Sequence, residues 1–158
     1  MIELEVSTAG AMQALGERIG HNCRVGDLVI LVGELGAGKT TLVQGLGLAL
    51  GVAEQVTSPT FVIARVHATA PGLPNLLHVD AYRLGSALEF DDLDLAADVD
   101  ESVTVVEWGE GKAEQLARDY LLVKISRSDN GADETRQVAI SAVGTRWTFS
   151  DLAVLAGS

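Results

Sequence analysis

Residues Gly33-Glu34-Leu35-Gly36-Ala37-Gly38-Lys39-Thr40, followed by Thr41, match the phosphate-binding loop pattern at every fixed position. Each fixed residue type has a task. Glycines let the backbone bring its N–H groups close to phosphate oxygens. A helix starting near Lys39 adds further free N–H groups and the positive end of its dipole. Lys39 supplies a full charge for the β- and γ-phosphates, and the Thr40 hydroxyl is a hard oxygen ligand suited to magnesium. The chemistry predicted is capture of a nucleoside triphosphate with its magnesium ion.

Two acids stand where such a loop would need them. Asp80 ends the apolar run Leu76-Leu77-His78-Val79, and Glu107 ends Val103-Thr104-Val105-Val106. An acid at the carboxyl end of a core strand can hold magnesium directly or through water. Strand ends of this kind converge on one edge of a sheet, where ligands bind. Glu107 could ligate the metal or orient an attacking water, although from pattern alone an exposed strand-end glutamate is the simpler reading. Trp108 could pack over a nucleotide, while core filling is the plainer use of such a residue. Ser58 and Thr60 lie between the loop helix and the Asp80 strand, where a hydroxyl can sense a γ-phosphate or serve the turn around Pro59. His21, His67 and His78 are isolated and lack metal-ligand spacing; His78 reads as part of a strand, and no zinc site is expected.

The elements that must position these residues are readable from periodicity. Ile2, Leu4 and Val6 alternate as a strand. Ser7 or Thr8 can cap a helix carrying Met12, Leu15 and Ile19 on one face, with Gly20 as its stop. Leu28 to Val32 is an unbroken apolar run, as expected of a strand buried on both faces. Leu42, Leu46, Ala49 and Leu50 mark the helix after the loop, and Gly51 its end. Phe61 to His67 is strand-like, Ala68 to Asn75 a connection or hairpin tip, and Ser86 to Asp100 a stretch of short helical pieces. Leu121 to Ser126 and Gln137 to Val143 predict an antiparallel hairpin, and Ser150 to Leu155 a short helix. The pattern predicts one α/β domain over residues 1–158, with the P-loop NTPase fold: three layers, a mixed, mostly parallel sheet and a C-terminal antiparallel hairpin.

Composition narrows the partners. The 158 residues carry a net charge of −11, with three lysines and eight arginines. Non-specific attraction to a nucleic-acid backbone needs the opposite balance, so any RNA in the pathway is expected to be held by a partner protein. The single cysteine, Cys23, excludes an intrachain disulfide and reads as a small buried hydrophobe. The N-terminal residues lack a signal-peptide pattern and no run approaches a membrane span, so a cytoplasmic protein without membrane contact is expected.

Four ordered blocks give the chain a resemblance. Gly33 to Thr41, Ser58-Pro59-Thr60-Phe61, His78-Val79-Asp80-Ala81-Tyr82-Arg83-Leu84 and Val106-Glu107-Trp108 resemble the TsaE (YjeE) family, small bacterial ATPases of tRNA threonylcarbamoyladenosine biosynthesis. The resemblance implies ATP and ADP as ligands, Mg2+ as cofactor, and slow hydrolysis unless partners are bound. It implies TsaB and TsaD type proteins as partners, which transfer the threonylcarbamoyl group, so that tRNA is met only through the complex. It also implies that Lys39 and the amides of Gly33, Glu34, Leu35, Gly36, Ala37 and Gly38 bind phosphates. Thr40 and Glu107 ligate magnesium, Asp80 is the Walker-B acid and Thr60 the switch-like threonine. Thr41 and Trp108 lie near the nucleotide, and Thr8 matches a position that approaches adenine. Gly109 departs from the proline usual after the Glu-Trp pair, and Glu89 to Leu93 lacks a usual glycine.

Other P-loop classes compete with this reading. A GTPase would show Asn-Lys-x-Asp, which is absent from the sequence. A small-molecule kinase would need an acceptor pocket and an arginine-rich lid, for which Arg65 and Arg83 are the nearest candidates. A non-catalytic, nucleotide-dependent interaction module has the same sequence signature as a slow ATPase. No arginine finger is identifiable.

Overall fold

A computed structural model describes residues 1–34, 36–54, 56–57, 63–127 and 134–157. Its centre is a strand with no polar side, β2 (Leu28–Gly33). Val29 and Leu31 face one apolar cluster, Leu28 and Ile30 the other. Such a strand is stable only with a layer over each face.

The described strands are β1 (Ile2–Val6), β2, β3 (Ala64–His67), β4 (Asn75–Asp80), β5 (Ser102–Glu107), β6 (Tyr120–Arg127) and β7 (Arg136–Val143). They form one sheet in the order β1-β7-β6-β2-β5-β4-β3. The inner strands β6, β2, β5 and β4 run parallel. The outer strands close each side antiparallel, with β6 and β7 forming the predicted hairpin. The α/β fold with a mixed sheet is as expected. Of the predicted Phe61 to His67 strand, β3 covers Ala64–His67; Phe61 and Val62 lie outside the described residues.

One face is covered by α1 (Ala9–Asn22), α2 (Lys39–Ala49) and α5 (Phe149–Leu155). The other is covered by α3 (Ala87–Asp91), α4 (Ala96–Glu101) and the segment around Ala113 and Leu116, through Phe90, Leu95 and Val99. Thr8 caps α1 by accepting from the Ala11 amide at 3.0 Å. Gly20 does not stop α1, which runs on to Asn22. Its hydrogen serves packing instead, since a Cβ there would stand 2.7 Å from the Ala49 Cβ and 2.8 Å from the Leu46 carbonyl. Gly16 and Gly45 bring the same helix backbones together. Added Cβ atoms would lie 2.0 Å from the Leu42 oxygen and 1.9 Å from the Gln13 oxygen respectively.

Cys23 is partly buried against the first cluster. Burial pushes its thiol well above the ordinary range, with Asp27 adding to the effect and Arg146 opposing it, which disfavours the thiolate that nucleophilic chemistry needs. No described helix is long and apolar enough to cross a membrane.

Candidate functional site

The phosphate loop leaves β2 at Gly33 and enters α2 at Lys39. Two of its glycines are required by backbone shape. Gly36 has φ 78° and Gly38 φ 114°, a region that costs other residues about 1 kcal/mol or more. Gly38 is the N-cap of α2 and makes no side-chain cap, so no side chain competes for the first amides of the helix. At Gly33 a Cβ would stand 2.8 Å from the Ile125 carbonyl oxygen. Bare backbone therefore lines the bend, as a phosphate group requires.

Lys39 is folded under that bend and is only 5% exposed. Its Nζ donates to the carbonyls of Gly33 at 2.6 Å and Glu34 at 2.9 Å. It lies 4.3 Å from the centroid of the Trp108 ring, a cation–π contact. Burial pulls the lysine below its ordinary 10.5, while Glu107 and then Asp80 oppose that loss by favouring the ammonium.

The two acids meet at one edge. Asp80 and Glu107 are direct partners in the β4–β5 ladder, and Glu107 also partners Leu31 of β2. The Ala81 amide donates to the Glu107 carbonyl at 2.9 Å and the Trp108 amide to the Leu31 carbonyl at 3.0 Å, which locks the strand ends together. Asp80 Oδ1 accepts from the Tyr82 amide at 2.9 Å. Glu107 is 3% exposed, so the exposed strand-end reading is wrong. Its Oε2 accepts from Nε2–H of His78 at 2.6 Å, with His78 fully buried. Trp108 is half-buried against the second cluster, so it does contribute to the core. Its φ of 61°, outside the usual range for a large side chain, turns the ring toward Lys39, and Tyr82 packs on that ring with centroids 4.9 Å apart.

Three contributions were not legible in the sequence. His78 is one. The others come from the far hairpin, where Arg127 and Arg136 are partners across β6 and β7. Arg127 donates to the Gly36 carbonyl at 3.2 Å and Arg136 to the Ala37 carbonyl at 3.1 Å, across 91 and 99 residues of chain. The peptide whose carbonyl Arg136 holds also carries the Gly38 N–H, so the bond fixes which way that amide points. Alternation within β6 and β7 could have put both arginines on one sheet edge, but nothing local predicts that edge meets the loop. Thr8, Met12, Gly36, Ala37, Gly38, Thr41 and Arg136 line a cleft of about 140 Å³ beside the bend. Leu35 and Thr60 lie outside the described residues.

These groups suit the ligands the sequence suggests. The bend needs glycine at Gly33, where a Cβ would meet the Ile125 carbonyl, and at Gly36 and Gly38, where φ is positive. Asp80 and Glu107 offer hard oxygens, and no group of three or more His, Cys, Asp or Glu is placed to hold a metal ion among the described residues. Magnesium keeps several waters and takes one or two carboxylates plus phosphate oxygens, so a sparse oxygen set fits it.

A sequence model described as threonylcarbamoyl adenosine biosynthesis protein TsaE matches residues 6–138. The chain belongs to the TsaE family. A TsaE relative from Streptomyces coelicolor, named tRNA threonylcarbamoyladenosine biosynthesis protein, is 55% identical over 92% of this chain and 100% of its own length. The TsaE protein of Mycobacterium tuberculosis H37Rv is 49% identical over 72% of this chain and 71% of its own. The crystal structure of YdiB from Bacillus subtilis superposes with a TM-score of 0.75 at 28% identity, covering 99% of this chain and 94% of YdiB. The TsaE membership and this likeness agree with the P-loop α/β architecture described above.

Proposed function

We propose that this TsaE-family chain is a magnesium-dependent ATPase of tRNA threonylcarbamoyladenosine biosynthesis. It works with TsaB and TsaD type partners and meets tRNA only through them. The observation that carries the reading is the convergence of Lys39, Asp80 and Glu107 on one edge beside a bend built of glycine. That combination suits a polyanion and its counter-ion, and little else.

The residues have separate tasks. Amides of the bend and of the α2 start bind the phosphates, and Lys39 adds the full charge. With two of its N–H groups held by Gly33 and Glu34, Lys39 keeps one for a phosphate oxygen. Thr8, Thr41 and Arg136 border the cleft for the nucleoside. Thr40, Asp80 and Glu107 would hold magnesium, which when bound neutralises charge on the phosphates. Glu107 orients the attacking water; its oxygen bonds to the γ-phosphorus as the bond to the bridging oxygen breaks, giving ADP, phosphate and a proton. Fixed donors that meet charge as it develops account for most of such catalysis.

Phosphate release from Mg-ATP, measured with and without TsaB and TsaD type proteins, tests the reading. Slow release that partners accelerate is expected, and the Lys39→Ala chain should show none. Binding without any release would favour the interaction module. Transfer of phosphate to a small molecule in place of water would favour the kinase. Calorimetry without heat for Mg-ATP, partners included, would sink all three.

A further inference from the structure

Glu107 is buried at the carboxyl end of β5, yet the only hydrogen bond to its carboxylate among the described residues comes from His78. The two sit on adjacent strands, and the register explains the contact. His78 partners Val105, so its ring reaches diagonally along β5 to Glu107, two residues on and on the same face of the sheet. His78 is fully enclosed, and its other ring nitrogen, Nδ1, has no partner among the described residues. A buried imidazole with one nitrogen unpaired loses about 1–3 kcal/mol relative to a satisfied one. An apolar residue would fill this slot between β4 and β5 more favourably, unless the remaining N–H serves the site.

We propose that His78 is a positioning residue for the ATPase reaction: its Nε2–H fixes Oε2 of Glu107, so that the carboxylate faces the phosphate loop through Oε1 alone. This rests on the ATPase reading above and adds to it a residue that touches no ligand. A carboxylate tied at one oxygen by a buried donor swings less, which favours binding through its other oxygen. Partners of this outer kind set the orientation of metal-binding or water-binding groups, and their loss typically costs about 10- to 100-fold.

The test uses the full chain and three variants. His78→Leu removes the donor. His78→Gln keeps an N–H at the same distance from the backbone as Nε2 and carries no charge, and His78→Asn places its amide one bond short. Steady-state phosphate release should show kcat lowered about 10- to 100-fold in His78→Leu, with KM rising by much less than kcat falls, and His78→Gln within about threefold of wild type. Calorimetry supplies a second readout. The gain in ATP affinity on replacing EDTA by magnesium should shrink in His78→Leu and persist in His78→Gln, while affinity in EDTA stays the same. If His78→Leu does not fold, the contrast between Gln and Asn decides, with Asn as the impaired one. Wild-type kcat and magnesium gain in His78→Leu would overturn the inference, as would a His78→Gln chain no better than His78→Leu or His78→Asn. If the wild type hydrolyses ATP, such results sink this inference alone; if it neither binds nor hydrolyses Mg-ATP, the ATPase reading falls first and takes this one with it.

Discussion

Asp80 and Glu107 face each other across the β4–β5 ladder, and the charges of both bear on the buried ammonium of Lys39. Their tasks separate by mutation. Glu107→Gln preserves the shape and an acceptor for His78 while removing the charge. Turnover should fall at least about 100-fold, the scale of a lost acid–base or orienting group, with ATP affinity in EDTA kept within about threefold. Rapid-quench single-turnover assays beside equilibrium binding check this, and unchanged turnover would remove the role given to Glu107.

Lys39 is the other half of that relationship. Lys39→Ala should weaken ATP at least about 100-fold, since hydrogen bonds to charged groups contribute about 1.5–3 kcal/mol each and the triphosphate loses the lysine charge under the bend. Fluorescent-nucleotide titration gives the affinity. A Kd within threefold of wild type would contradict the assignment.

Arg136 and Arg127 should differ. Arg136 holds the Ala37 carbonyl in a part-buried setting, whereas Arg127 reaches Gly36 from an exposed position. Arg136→Met is expected to weaken ATP about tenfold, and Arg127→Met no more than about threefold, following the usual gap between buried and exposed polar contacts. Parallel calorimetric titrations of the two variants measure the order, and the reverse order would refute it.

The α1–α2 contact sets a stability test remote from the ligand. In Gly45→Ala the new methyl would meet the Gln13 carbonyl oxygen at 1.9 Å, a backbone obstacle that no rotamer can relieve. Overpacking of this kind costs about 1–3 kcal/mol or more, outweighing the roughly 1 kcal/mol that alanine gains in a helix. Urea unfolding should show a lower midpoint at unchanged slope.

The last helix gives a pH signature. The Thr148 amide and hydroxyl both donate to Asp151 of α5, at 2.7 and 2.9 Å. Its carboxyl is held below the ordinary 3.8 first by the backbone bond from Thr148, then by the hydroxyl. A depressed carboxyl stabilises the fold above 3.8 and loses that contribution as pH falls through its lower folded value. Thermal melts of wild type and Asp151→Asn should differ at neutral pH and converge on acidification below 3.8.

The sequence made the phosphate loop legible because its requirements are local. Glycine shape, a preceding apolar strand and a following helix all fall within some twenty residues. Asp80 and Glu107 were also readable, since both close apolar runs and parallel strands end together. What escaped depends on contacts between distant segments. Gly20 looks like a helix stop until α2 is seen against it. His78 looks like one more strand residue until β5 is set beside β4 in register. Arg127 and Arg136 became loop residues only because β6 pairs with β2 and carries β7 along. From pattern alone Glu107 reads as exposed for the same reason, since its burial depends on β5 lying between β2 and β4 and on His78 beside it.

The glycine contact between α1 and α2 has a mechanical corollary. Side-chain layers can slide by changing rotamers, but touching backbones are geared. Lys39 at the head of one rod therefore keeps its spacing from Thr8 at the head of the other, whatever occupies the space between. The opposite layer is built differently, since α3 and α4 are short props that lean on the sheet through Phe90 and Val99.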